Sequence, residues 1–186
     1  IPGTKTTWED LQHLRASGIV HAGTGQNLSE ARAPGYLDSA RGRVALISAA
    51  STFAEAGRAL DQRPDVKGRP GLNPLRFSTT YTVDRPAFDE LRRTSAELGL
   101  EALKDALRRF RPAGAVPEDT DTKFRFMGNE FALGEEFKVS TSPNKQDMEG
   151  NLKWIREARR MADWVLVSFH CHESGATRED PPDFLT

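Results

Sequence analysis

Cysteine is nearly missing: Cys171 stands alone, so no intrachain disulfide can form. A single thiol leaves the redox compartment open. Charge of either sign is not in excess. The chain sets 26 Lys and Arg against 27 Asp and Glu, a net charge of -1, and the basic residues are scattered among acidic ones. That balance gives no reason to expect nucleic acid or an anionic membrane surface as partner. Long apolar runs are lacking. No stretch approaches the roughly 20 apolar residues that a membrane-crossing helix needs. No secretory leader is visible, and there is no repeat or low-complexity tract. The chain opens on Ile1 rather than Met, and its end, Pro182-Asp183-Phe184-Leu185-Thr186, reads as the first turn of a helix. The expectation is a segment cut from a longer chain at both ends, which leaves location open.

What is present suits one domain with a real core: 186 residues, 37% hydrophobic and 28% charged. A first helix is expected from about Thr7, with Trp8, Leu11 and Leu14 on one face and Gly18 at its end. A short strand, Ile19 to Ala22, leads into Gly23-Thr24-Gly25, and a short helix opens near Ser29. Tyr36 to Asp38 and Arg43 to Ala50 read as an antiparallel pair, with Val44 to Ile47 apolar enough for burial on both faces. Ser51 to Pro74, rich in Gly, Pro and Arg, is too long for a simple connector, and long ordered loops are often functional. Phe77 to Val83 reads as a strand, and Asp84 with Pro86 starts a helix. Leu100, Leu103, Leu107 and Phe110 mark the face of another. A polar loop at Ala113 to Thr122 follows, then two or three strands within Lys123 to Thr141. Gln146 to Met161 has a helical face of Met148, Leu152, Ile155 and Ala158. Trp164 to Phe169 reads as the central strand of a covered sheet. The mixture predicts an α/β fold, with helices over mixed sheets.

The strand stops at His170-Cys171-His172-Glu173. Ligands gather beyond the carboxyl ends of strands in open α/β sheets. Side-chain alternation puts His170 and His172 on one face, an arrangement suited to zinc, manganese or iron. A hydrogen-bonded structural pair is the alternative. Glu173 is a candidate ligand, general base or acceptor that fixes a His tautomer. Cys171 points away and reads as a small buried hydrophobe. His13 and His21 read as structural. Gly23 to Gly25 is more a turn than a phosphate cradle. Arg69 and Asn73, in the Gly/Pro-rich loop, are candidate contacts to an anionic or amide substrate; a solvated Arg and a turn Asn are the plainer reading.

Three stretches carry a resemblance: Gly18-Ile19-Val20-His21-Ala22-Gly23-Thr24-Gly25-Gln26-Asn27-Leu28-Ser29-Glu30-Ala31, then Gly42-Arg43-Val44-Ala45-Leu46-Ile47, and Ala162-Asp163-Trp164-Val165-Leu166-Val167-Ser168-Phe169-His170. They resemble the poly-γ-glutamate capsule-biosynthesis family, whose fold is related to calcineurin-like metallophosphoesterases. The likeness runs from about Trp8 to Thr186. It implies a layered α/β sandwich with a metal centre, here as one domain over residues 1–186, incomplete at both ends. His170 matches the family's strand-end histidine, and Glu173 an acidic position just beyond. Many members have Trp-Gly after that histidine where this chain has Cys171-His172, so His172 rests on strand alternation alone. The family's Gly-Asp, Asn-His and Gly-His-x-x-His motifs have no counterpart here; they are expected outside the chain.

The resemblance implies a metal-dependent hydrolase-like protein of capsule or envelope-polymer biosynthesis, phosphoesterase-like or cleaving γ-glutamyl amides. Its cofactor is a divalent metal (manganese, iron or zinc), held by His170 and His172 with Glu173 catalytic. Its substrate is an anionic polymer or a small molecule, with polymer-synthase subunits as further partners and the cell envelope as the implied location. A non-catalytic polymer- or synthase-binding subunit and a general metallophosphoesterase are the competing readings.

Overall fold

The computed structural model describes residues 3–111, 117–175, 177 and 179–185. In chain order, helix α1 (Gly3–Ala16) leads to strand β1 (Thr24–Gly25), helix α2 (Leu28–Arg32) and strands β2 (Gly35–Ser39), β3 (Gly42–Ala50) and β4 (Gly71–Leu72). Strand β5 (Phe77–Val83) is followed by helices α3 (Arg85–Glu97) and α4 (Leu100–Phe110). Strands β6 (Lys123–Phe126), β7 (Asn129–Leu133) and β8 (Lys138–Pro143) come next. Helix α5 (Lys145–Met161) and strand β9 (Trp164–His170) complete the run, with short 3-10 turns at Glu55–Gly57 and Asp183–Leu185. The architecture is mixed α/β with mixed sheets and helices, as the sequence predicts. The expected polar loop at Ala113 to Thr122 lies partly outside the described residues.

The chain packs as two compact units, one of residues 1–77 and 143–186, the other of residues 78–142. In the first, β2, β3 and β9 form a sheet in that order. The β2–β3 pair is antiparallel, with Asp38 opposite Arg43. The β3–β9 pair is parallel, with Val44 opposite Trp164 and Ala50 opposite His170. Helix α5 leads directly into β9 and covers one face of this sheet. Among the described residues β9 is the outer strand of the sheet, paired on one side only, which overturns the expectation of a central, covered strand. Ala158 is buried there with Ala45 and Ile47, and Trp154, Ile155, Ala162 and Val165 pack around them. The helical face expected on α5 is partly right. Ala158 is buried, but so are Asp147 and Asn151, two polar residues that a hydrophobic period assigns to solvent.

Local signals explain most boundaries. The amide of Ile19 donates to the carbonyl of Leu14, and that of Gly18 to Arg15. With Gly18 at φ 67, this is a Schellman ending that only a residue without Cβ adopts freely. Helix α1 starts earlier than Thr7, at Gly3. Asn27, Asp84 and Asn144 cap α2, α3 and α5 through side-chain oxygens that accept from Glu30, Ala87 and Asp147. Ile19 to Ala22 is not a strand. It crosses over the sheet, where a Cβ on Gly35 would strike Val20 and His21, and Gly23 (φ +89) lies against Ser48.

The Ser51 to Pro74 loop is ordered. Leu60 pairs with Arg69, and Arg58 with Leu72, while β4 pairs with β1. Ala59 is buried against Leu28 and Ala31.

In the second unit the strand order is β6-β7-β5-β8. Phe88 is buried with Val83 and Phe124, surrounded by Leu91, Phe126, Phe131 and Leu133. The α4 face expected to be apolar is formed as predicted, yet Leu103 and Phe110 on it are exposed.

Candidate functional site

The parallel pairing of β3 and β9 brings two strand ends side by side, and the candidate site is built on them. The amide of Ser51, one residue beyond β3, donates to the carbonyl of His170 at 3.0 Å. Both imidazoles emerge on one side, as alternation requires. Their ring centroids lie 4.8 Å apart at an interplanar angle of 66°, and both residues are exposed. Cys171, between them, is a free thiol and half-buried.

Glu173 is held by the other strand end. The Ser51 hydroxyl donates to its Oε2 in a short contact, and the Thr52 hydroxyl donates to its Oε1 at 2.9 Å. Thr52 Oγ1 also accepts from the backbone amide of His172 at 2.8 Å. One threonine thus ties the turn after β9 to the end of β3. Burial pushes the Glu173 carboxyl up, but the Ser51 and Thr52 hydroxyls and nearby backbone amides outweigh it, and the group sits below the ordinary glutamate range. Glu173 is therefore an anion at neutral pH. Cys171, His172, Glu173 and Ser174 line a hollow of about 520 Å³.

Ser51 and Thr52 are not among the site residues that the sequence predicts. The signal was available: they follow a buried parallel strand directly, and strand carboxyl ends are where such sites assemble.

The remaining candidates are placed elsewhere. Arg69 donates from Nε to the carbonyl of Arg58 at 3.1 Å and from Nη2 to that of Glu55 at 3.0 Å, fastening the long loop to its 3-10 turn. Asn73 is 0% exposed. Its Nδ2 donates to the Ser48 carbonyl at 2.9 Å and to Asn151 Oδ1 at 2.6 Å. Both residues use these polar atoms inside the protein. His13 is exposed on α1, and His21 has a buried Nδ1 without a hydrogen-bond partner among the described residues.

A divalent metal needs three or more protein ligands in most such centres. The two imidazoles fit as part of a donor set: their rings are adjacent, and their nitrogens have no hydrogen-bond partner among the described residues. Among the described residues no group of three or more His, Cys, Asp or Glu side chains is arranged to hold a metal ion. Glu173 is engaged by hydroxyls instead.

The Thr52 bridge yields a direct test. Replacing Thr52 with Val removes the acceptor for His172 N–H and a donor to Glu173. The Glu173 carboxyl is expected to titrate higher than in the parent, read by carbon NMR, with a stability loss of about 1 kcal/mol. The sign follows from the depressed native value. Glu173 contributes stability above the ordinary glutamate range and loses it as pH falls through its folded value. Thr52→Ser should restore both; an unchanged titration in Thr52→Val would remove the bridge from the account.

A family model described as bacterial capsule synthesis protein PGA_cap matches residues 2–183. The chain is 30% identical over 182 residues to uncharacterized protein y4sH of Sinorhizobium fredii, covering 98% of this chain and 37% of that protein. Uncharacterized protein y4uA of the same organism gives the same figures. The chain thus spans 37% of the length of these curated relatives. With a family model matched over nearly its whole length, this chain belongs to the bacterial capsule synthesis protein family.

Proposed function

We propose that this chain carries part of the metal centre of a hydrolase-like protein acting on poly-γ-glutamate or a similar anionic envelope polymer. The observation that carries the reading is the His170–His172 pair, 4.8 Å apart at the carboxyl end of a parallel strand. His170 and His172 would hold manganese, iron or zinc, and further ligands would come from outside these residues. A metal held there would supply Lewis-acid chemistry toward a phosphoryl or amide carbonyl oxygen and toward water. The chain's own contribution is orientation and a proton acceptor. Thr52 fixes the His172 backbone, and Glu173 is anionic with one hydroxyl donor on each carboxylate oxygen. In this reading Arg69 and Asn73 act on substrate only through the loop they hold in place.

A second reading is a non-catalytic subunit that binds the polymer or its synthase; it is supported by the Glu173 carboxylate, whose two oxygens are already taken up by the Ser51 and Thr52 hydroxyls. The deciding experiment uses the native-length protein, supplied with manganese, iron or zinc and assayed on poly-γ-glutamate and on a generic phosphodiester. Stoichiometric metal with polymer cleavage supports the first reading. Phosphodiester turnover alone indicates a general phosphoesterase. Polymer binding without metal or turnover establishes the non-catalytic subunit.

A further inference from the structure

Helix α4 packs on its own unit through its charged side. Glu101 Oε1 accepts from the buried Ser95 hydroxyl at 3.0 Å, and Lys104 Nζ donates to Asp119 Oδ2 at 2.6 Å. Lys104 also lies over the Phe124 ring, 5.6 Å from its centroid, and Arg108 Nη2 donates to the Pro117 carbonyl at 3.3 Å. The apolar stripe of Leu100, Leu103, Leu107 and Phe110 faces elsewhere. No residue of α4 is buried; Leu103 is 57% exposed and Phe110 88%. A stripe of this spacing ordinarily meets a core. Here its three leucines line an open hollow of about 510 Å³, together with Met127 of the β6–β7 turn, itself 75% exposed.

The charges around this hollow are one-sided. Every carboxylate that stands on α4 or lines the hollow is engaged: Glu101 and Asp119 by Lys104, and Asp105 by Arg108. The guanidinium groups of Arg109, Arg111 and Arg125 are exposed and have no hydrogen-bond or ion-pair partner among the described residues. Arg125 lines the hollow, and Arg109 and Arg111 bracket Phe110. Glu118, next to Pro117, lines a separate hollow with Lys123 and Glu130. The net charge of -1 over the whole chain hides this local excess of cations.

We propose that this face docks the unit of residues 78–142 onto an anionic lipid surface. Leu103, Leu107, Phe110 and Met127 enter the acyl boundary, and Arg109, Arg111 and Arg125 lie at the head groups. An apolar stripe flanked by arginine is what an interfacial helix presents. Each Lys or Arg near an anionic surface strengthens binding about fivefold. The charges select this occupant over a second copy. A two-fold interface sets one patch against itself, so it would bring two sets of these arginines together with no free α4 carboxylate to meet them. A partner segment seated in the hollow would leave Phe110 outside, since Phe110 is not part of its lining. A lipid layer takes in both.

Vesicle flotation of the native-length protein tests the proposal without metal or turnover. The vesicles are phosphatidylcholine alone, or phosphatidylcholine and phosphatidylglycerol in equal parts. Binding to the mixed vesicles is expected, and weaker binding to phosphatidylcholine. Phe110→Asp is expected to lower partition into mixed vesicles at least about tenfold. Joint replacement of Arg109, Arg111 and Arg125 by Gln is expected to lower it about 100-fold. Lys153→Gln, which removes an exposed cation from α5, should leave it unchanged. Circular dichroism reports whether each variant folds; should Phe110→Asp fail, the arginine variant alone decides. No vesicle binding by the wild type, or equal binding by the arginine variant, would overturn the proposal. An equal loss in Lys153→Gln would overturn it too, by reducing the effect to bulk charge. A wild-type dimer that Phe110→Asp makes monomeric, without vesicle binding, would assign the face to a second copy instead. None of these outcomes touches the metal reading, and absence of metal would not touch this one.

Discussion

His170→Ala in the native-length protein is expected to lower metal affinity by at least about 100-fold and to abolish metal-dependent turnover. Removing a group that only orients a ligand typically costs 10–100-fold in affinity, and loss of the ligand itself should cost no less. The fold should survive. His170 is exposed, its backbone carbonyl keeps the Ser51 amide, and surface substitutions away from special contacts stay within about 0.5 kcal/mol. The measurement pairs plasma mass spectrometry for metal with circular dichroism for fold. Lys153→Ala, exposed on α5 and away from the imidazole pair, is the control. His172→Ala separates the two histidines. Loss of metal in both variants makes them joint ligands. Loss in His170→Ala alone leaves His172 as a neighbour. Full metal content in both sinks the site assignment.

The hydrophobic periods made the helices and strands legible, and the polar contacts that join them stayed hidden. β5 begins and ends where its residues predict, because Phe77 to Val83 is a β-rich run stopped by an Asp cap. The β2–β3 pair is legible for a similar reason, its turn marked by Gly42 at φ 125. Ile19 to Ala22 fails as a strand because its neighbour is the face of a sheet rather than an edge, and a four-residue apolar stretch carries no sign of which it will meet. β9 shows the limit from the other side. Its composition says that it wants cover on both faces, and nothing in it says what provides the cover. Within the site, His170 and His172 are legible from strand alternation. Ser51 and Thr52 are not, since their role depends on β3 lying beside β9 in one register, which is a tertiary fact. Asp147 and Asn151 were hidden for another reason. A helical wheel reads them as solvent-facing, but the first turns of α5 lie against Arg32, Arg76 and Asn73.

That buried polar cluster carries the largest expected effect on stability. Asp147 is 1% exposed. Its Oδ1 accepts from Arg32 Nη2 at 2.9 Å, and its Oδ2 accepts from Arg76 Nε at 2.7 Å and from the Arg76 backbone amide at 3.1 Å. The pairing holds the Arg76 guanidinium above its ordinary range, while burial pulls Arg32 down. Asp147→Ala leaves two guanidinium groups without the carboxylate that both pair with, keeping only the weaker fields of Asp61 at Arg32 and Glu55 at Arg76, and the Arg32 side chain is only 12% exposed. Removing one partner of a buried pair costs about 3–5 kcal/mol, because the surviving charge stays desolvated. Urea unfolding should register a loss of that size. Arg93→Ala gives the contrast: its partners Glu90 and Glu97 are as exposed as it is, and such a pair is worth about 0–1 kcal/mol. Double replacement of Arg32 and Arg76 by Met, together with Asp147→Leu, should recover much of the loss if desolvation is the cause. A small effect of Asp147→Ala alone would mean that the two arginines reach solvent once released, and that α5 is anchored by Asn151 and Ala158 rather than by charge.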